Sequence, residues 1–203
     1  NNSVKKVLLA KYNHGLNNWQ PVSTKNLADN LNARSKDIRK TIAENALTSL
    51  RNEDNIIPLV AGQVNKITGK AQKVAYLGVG ISGDNAFARQ MRSNYNADAF
   101  YFNYKEDAGR IATLAATLQT RYDVVVIGVH AYNRFPSNNF GISAAVIQSL
   151  QQVQALPTAV TFVFGNPYAI KNFCTSRNII ACYEDDPITQ QVAADVLKGA
   201  IIT

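Results

Sequence analysis

From residue 73 onward, short apolar runs alternate with segments whose apolar residues recur every three or four positions. The runs are Lys73 to Val79, Ala99 to Asn103, Asp123 to Val129, Ala159 to Phe164 and Asn178 to Tyr183. They are too continuous for strands with one wet face, so they read as strands covered on both sides. Between them, Phe87, Ala88, Met91 and Tyr95 mark one helix, and Ile111, Leu114, Ala115 and Leu118 a second. Val146, Ile147, Leu150 and Val153 mark a third, and Ile188, Val192, Ala193 and Val196 a last one; a short helix follows Pro167. Ser143 and Asp186 stand where N-caps belong, Pro187 occupies a first turn, and Gly199 is a stop signal.

The first 60 residues differ, carrying helix signals and no strand. Ser3 suits a cap for a helix with Val4, Val7, Leu8 and Tyr12 inward, stopped by Gly15. A loop follows at Asn17 to Pro21, around Trp19. Ser35 suits a cap for a second helix with the stripe Ile38, Ile42, Ala46 and Leu50, Leu47 beside it, ending before Pro58. Two helices cannot close a core alone, so this segment is expected to pack on the following domain or on a preceding one. The pattern predicts a helical linker over 1–60 and an α/β domain over 61–203. That domain is expected to be a three-layer sandwich around a five-stranded, mainly parallel, flavodoxin-like sheet in the order 2-1-3-4-5.

Composition narrows the function classes. The chain has 203 residues, 46% hydrophobic and 17% charged, with a net charge of +7. That excludes a disordered polyelectrolyte. No run approaches the ~18 apolar residues of a membrane span, and no signal-peptide pattern opens the chain. It begins in helical character, as if cut from something longer. The positive charge is densest at Lys5-Lys6, Arg34 to Lys40 and Lys66 to Lys73, without aromatics interleaved along one face, so nucleic acid is not an expected partner. Cys174 and Cys182 lack metal-ligand spacing, and His14 and His130 are far apart, so no metal is expected. The cysteines read as two buried thiols, with a disulfide as the alternative.

In a doubly wound sheet, ligands sit beyond the carboxyl ends of the strands. Gly78-Val79-Gly80-Ile81-Ser82-Gly83 has the form of a dinucleotide motif between a strand and a helix. The acid that should hold a ribose is missing: the second strand ends at Asn103, and Glu106 lies past it. The glycines therefore read first as a tight turn; phosphate or flavin binding stays open because a helix N-terminus attracts anions. No cofactor is assigned. His130, Tyr132, Asn133 and Arg134 follow the third strand, and Asn166 follows the fourth; these are the candidate substrate- or interface-facing residues. No Gly-x-Ser-x-Gly elbow exists. Glu184, Asp185 and Asp186 read as acids that stabilise the N-terminus of the next helix rather than as a catalytic carboxylate pair.

These residues carry a family likeness. Ala43 to Leu59, with Ser49-Leu50-Arg51-Asn52 and Ile57-Pro58-Leu59, resembles the junction leading into the second domain of family 3 glycoside hydrolases. Val7 to Tyr12 with Gly15-Leu16 looks like the helix leaving the catalytic barrel. Phe164 to Tyr168 and Tyr183 to Gly199 resemble the last strands and closing helix of the second domain. The resemblance implies that the nucleophilic aspartate belongs to an N-terminal (β/α)8 barrel preceding this chain, which would be its partner, with carbohydrate as substrate and a secreted or periplasmic setting. In β-glucosidase-type members, the loop after the third strand can supply the acid/base glutamate. Here the loop from His130 to Ile142 has no Glu or Asp, which fits the β-N-acetylhexosaminidase-like branch. No catalytic residue carries over onto this sequence.

Two functions follow as expectations: an accessory C-terminal domain of such a glycosidase, or a free-standing flavodoxin-like module binding a small anionic ligand. An enzyme in its own right is a third. If a barrel packs here, Trp19, His130, Tyr132, Phe135 and Phe140 should form an exposed aromatic patch.

Overall fold

The structure, a computed structural model, describes residues 1–65, 69–105 and 108–201. Lys66, at one end of a basic run, and Glu106 lie outside the described residues. The chain forms two compact units, Asn1–Lys36 and Asp37–Thr203.

The first unit holds helix α1 (Asn2–Asn13), a single turn at Leu16–Asn18 and helix α2 (Leu27–Asn32). Ser3 lies inside α1 rather than capping it, and Asn1 precedes the helix without a side-chain cap bond. Gly15, at φ 75°, turns the chain out of α1 as its stop signal predicts. None of residues 1–34 is buried.

The second unit is built on a six-stranded mixed sheet, one strand more than the pattern predicts. Helix α3 (Ser35–Ala46) leads into strand β1 (Thr48–Asn52). Then come β2 (Val74–Val79), α4 (Ala86–Tyr95), β3 (Asp98–Phe102), α5 (Ala108–Arg121), β4 (Val124–Val129), α6 (Ala144–Gln154), β5 (Ala159–Val163), β6 (Asn178–Ala181) and α7 (Pro187–Leu197). The spatial order is β1-β6-β5-β4-β2-β3. The parallel strands β2 to β6 thus run in the expected 2-1-3-4-5 sequence, and β1 adds an antiparallel edge beside β6.

β1 corrects the all-helical reading of residues 1–60. Its five residues are mostly polar and only partly buried, and its register slips between Ser49 and Arg51. It is a strand because β6 offers an unpaired edge, not because its own pattern demands one. Asp54 holds the exit, its carboxylate meeting the Arg177 guanidinium in two hydrogen bonds of 2.9 and 2.7 Å. The expected stripe of α3 is also displaced. Ile38 and Ile42 are exposed, Leu50 lies on β1, and Ala43 and Leu47 are the buried positions.

Alternation along the strands divides the core. Tyr76, Val126 and Phe162 face the side covered by α4 and α7, with Phe87, Met91, Val192 and Leu197. Leu77, Ile127 and Val163 face the side covered by α5 and α6, with Ile111, Leu118 and Leu150. All six residues of β2 and of β4 are buried, as strands with helices on both faces must be. Among the described residues, no helix is long and apolar enough to cross a membrane.

Candidate functional site at the strand ends

The loops leaving β4, β5 and β6 at their carboxyl ends enclose a cleft of about 680 Å³, lined by Tyr132, Arg134, Phe164, Asn166, Tyr183 and Glu184 among others. A larger hollow, about 1030 Å³, lies at the opposite ends of the strands beside Tyr95, Asp98 and Arg121. The first is the better candidate: parallel strands deliver their loops and ligands at the carboxyl end, and Arg134 and Glu184 both line it.

His130 is not on the surface. It is fully buried, its ring stacked on Phe164 at 4.4 Å between centroids. Nδ1 lies 2.9 Å from Asp185 Oδ1, and Nε2 lies 2.9 Å from the Tyr76 hydroxyl. The Tyr104 hydroxyl donates to the His130 carbonyl oxygen at 2.6 Å. With both ring nitrogens engaged and no solvent access, this imidazole cannot serve as a base toward an external ligand. Phe140 is buried as well, edge-on to Tyr132, whereas Phe135 and Trp19 are exposed. The expected aromatic patch is therefore divided between core and surface.

The other candidates line or brace the cleft. Tyr132 is half-buried and donates its hydroxyl to the Asn166 carbonyl oxygen at 3.0 Å; burial pushes its pKa up. Asn166 Nδ2 donates to the Arg134 carbonyl oxygen at 2.9 Å, and its Oδ1 accepts from the Tyr168 amide at 3.0 Å. Asn133 is exposed, its amide donating to the Phe140 carbonyl oxygen at 2.8 Å. That bond closes a turn in which Asn138, Asn139 and Phe140 all have φ between 51° and 61°. Asparagine tolerates this region; phenylalanine does so only because its ring is anchored in the core.

The three acids after β6 have three different roles. Asp186 caps α7, its Oδ1 accepting from the Ile188 amide at 2.9 Å, as the sequence leads one to expect. Asp185 instead reaches back to His130. Burial alone would raise its pKa, but hydrogen bonds from His130, Ala131 and Gln190 and the attraction of the imidazole outweigh it and hold the carboxyl below its ordinary range. Glu184 is exposed, and its carboxylate has no polar partner among the described residues. Sequence reasoning missed the His130–Asp185 pair. The only signal was that both residues lie beyond the carboxyl ends of strands, and those strands are separated in the sheet by β5.

The glycine turn is tightly packed at Gly80. Gly80 has φ 86°, and a Cβ there would sit 2.2 Å from the His130 carbonyl oxygen and 2.6 Å from the Tyr104 ring. The start of α4 is already satisfied from within. Gln190 Oε1 accepts from the amides of Ala86 and Phe87 at 3.0 and 3.4 Å, and Asn85 Oδ1 accepts from that of Ala88 at 2.8 Å. The donors an anion would use are taken. Cys182 is buried and Cys174 exposed, both as free thiols, which corrects the reading of two buried ones. Among the described residues, no cluster of three His, Cys, Asp or Glu side chains could hold a metal.

No family model matches the sequence, and no curated protein matches it. Solved structures do share its fold. A β-glucosidase from Listeria innocua superposes with a TM-score of 0.63 at 20% identity, over 88% of this chain and 27% of its own. A glycoside hydrolase family 3 β-N-acetylglucosaminidase from Paenibacillus sp. str. FPU-7 gives 0.59 at 15% identity, over 99% and 37%. A fungal multi-domain GH3 β-N-acetylglucosaminidase gives 0.59 at 19% identity, over 91% and 20%. The chain has the fold of one part of these enzymes and spans between a fifth and just over a third of their length.

Proposed function

We propose that this chain is an accessory, non-catalytic domain of a family 3 glycoside hydrolase-like enzyme, working beside a barrel that carries the chemistry. The observation that carries this reading is the fold match, which covers 88 to 99% of this chain but only 27 to 37% of two glycosidases. The cleft chemistry agrees. Glycoside hydrolysis needs two carboxyl groups flanking the bond, about 5 to 9.5 Å apart. Asp185 is held by His130, Ala131 and Gln190, Asp186 caps a helix, and of these three acids only Glu184 has no side-chain partner among the described residues. The loop after β4 carries no carboxylate that could reach into a neighbouring active site.

The substrate class we propose for the whole enzyme is a β-linked sugar, a β-N-acetylhexosaminide in particular, because that branch draws its catalytic groups from the barrel. The barrel-facing surface is the cleft rim, with Tyr132, Asn133, Arg134 and Asn166, and with Phe135 and Tyr168 as its exposed aromatics. His130 supports this rim from beneath. The test is hydrolysis of nitrophenyl β-N-acetylglucosaminide and nitrophenyl β-glucoside by the chain alone and with the purified barrel of the parent enzyme. The chain alone should turn over neither. Turnover that disappears in Glu184→Gln would overturn the non-catalytic assignment. Added barrel should slow amide exchange at 130–140, and unchanged exchange there would remove the rim from the interface.

A further inference from the structure

Buried polar groups must be hydrogen-bonded, and a chain of them has a direction set by which atoms can donate. Around Asp185 that direction is unambiguous. Asn85 is pinned because its Oδ1 accepts from the Ala88 amide, so its Nδ2 faces His130 Nε2, at 3.3 Å, as a donor. The Tyr76 hydroxyl faces the same nitrogen. Nε2 is therefore the acceptor, and the ring proton sits on Nδ1, pointing at Asp185 Oδ1. Gln190 is pinned in the same way: its Oε1 takes the first amides of α4, leaving Nε2 to donate to Asp185 Oδ1 at 2.7 Å. The second carboxylate oxygen accepts from the Ala131 amide at 3.0 Å. Three donors, His130 Nδ1, Gln190 Nε2 and the Ala131 amide, converge on the Asp185 carboxylate.

That side chain accepts from one strained residue, Ala131, and lies two positions after another, Tyr183. Ala131 and Tyr183 have φ of 49° and 66°, the left-handed region that disfavours a non-glycine residue. The carboxylate is also partly open to solvent at the cleft, with 26% of its side-chain surface exposed.

The geometry points to Asp185 as a latch: one cleft-edge carboxylate that holds both the strained start of the β4 loop and, through Gln190, the first turn of α4. What happens at the cleft edge is thereby coupled to a helix on the sheet's face. This inference stands independently of the glycosidase reading.

Three variants of the chain test it by residue-resolved amide exchange. The amides of Ala131, Ala86 and Phe87 are the reporters. The last two open a helix and have no carbonyl partner within it, so their protection reads Gln190 alone. Asp185→Ala should raise exchange at all three by about tenfold or more, leaving Val126 unchanged. Asp185→Asn has one oxygen, which serves His130 and Gln190, while its NH2 meets the Ala131 amide donor to donor. It should free Ala131 alone. Gln190→Met should free Ala86 and Phe87 alone. Unchanged exchange at either set of reporters in Asp185→Ala overturns the latch. If Asp185→Ala does not fold, the other two variants decide: exchange changing equally at both sets, or at neither, overturns it.

Discussion

Helix α1 and strand β4 are both short runs rich in branched aliphatic residues, yet no residue of α1 is buried and every residue of β4 is. In α1, Leu8 and Leu9 keep 58 and 60% of their surface exposed. In β4, each side chain meets a helix layer, whichever face it takes, and each backbone group meets β2 or β5. Hydrophobicity supplies a drive to bury surface, but a partner surface decides whether the drive is met. Residues 1–34 contain no buried position at all, so the apolar side chains of that unit add nothing to a core of its own.

The contrast can be broken or sharpened by substitution. Truncation in the sheet unit should have the largest effect. Phe87 is fully buried between Tyr76, Phe162 and Phe164, with ring centroids 4.9 to 5.6 Å away. Phe87→Ala should cost about 3–5 kcal/mol in urea denaturation, and Leu8→Ala should stay within about 0.5 kcal/mol. A Leu8→Ala loss as large as that of Phe87→Ala would show that α1 is buried in solution.

A smaller effect separates the helix starts. Asp186 caps α7 through two backbone amides and the Thr189 hydroxyl, while Asn1 makes no such bond to α1. Asp186→Ala should cost about 1 kcal/mol, and Asn1→Ala should leave the denaturation midpoint unchanged. Equal losses would mean that capping does not distinguish the two units.

The smallest effect is on acid stability. The Asp185 pKa is lowered in the folded protein, the hydrogen bonds and the imidazole outweighing burial. Its stabilisation is therefore fully present above the unfolded carboxyl value near 3.9 and is lost as pH falls through the lower folded value. Denaturation midpoints followed from about pH 5 down to about pH 2 should fall less steeply in Asp185→Asn than in the parent chain. Parallel curves would place the acid sensitivity elsewhere.

Much of the second unit was legible in the chain because its signals are local. Continuous Val-Val-Val-Ile runs with amphipathic segments between them announce doubly covered strands, and Asp186-Pro187 announces a helix start whatever surrounds it. β1 was not legible, since Thr48 to Asn52 alternate no apolar face and pair only because β6 ends the parallel array. The inward face of α3 was misread for a related reason. Periodicity points to Ile38 and Ile42, but the sheet unit buries Ala43 and Leu47, on the turn nearest β1. At the site, the glycine turn was legible as a turn, while the Tyr104 ring and Gln190 amide that fill it come from elsewhere in the chain.

The sequence by itself determined the order and type of the parallel strands and their helices, the caps at Ser143 and Asp186, the tight turns, and the lack of a carboxylate in the loop after β4. These depend on neighbours within a few residues, where spacing and steric preference act directly. Only the tertiary structure decided that His130 is a buried partner rather than an exposed base, and that three consecutive acids divide into an exposed carboxylate, a hydrogen-bond hub and a helix cap. Those outcomes rest on groups 55 residues apart meeting across β5. A local pattern cannot encode such a meeting, because burial and hydrogen-bond direction arise only once the sheet has brought the strand ends together.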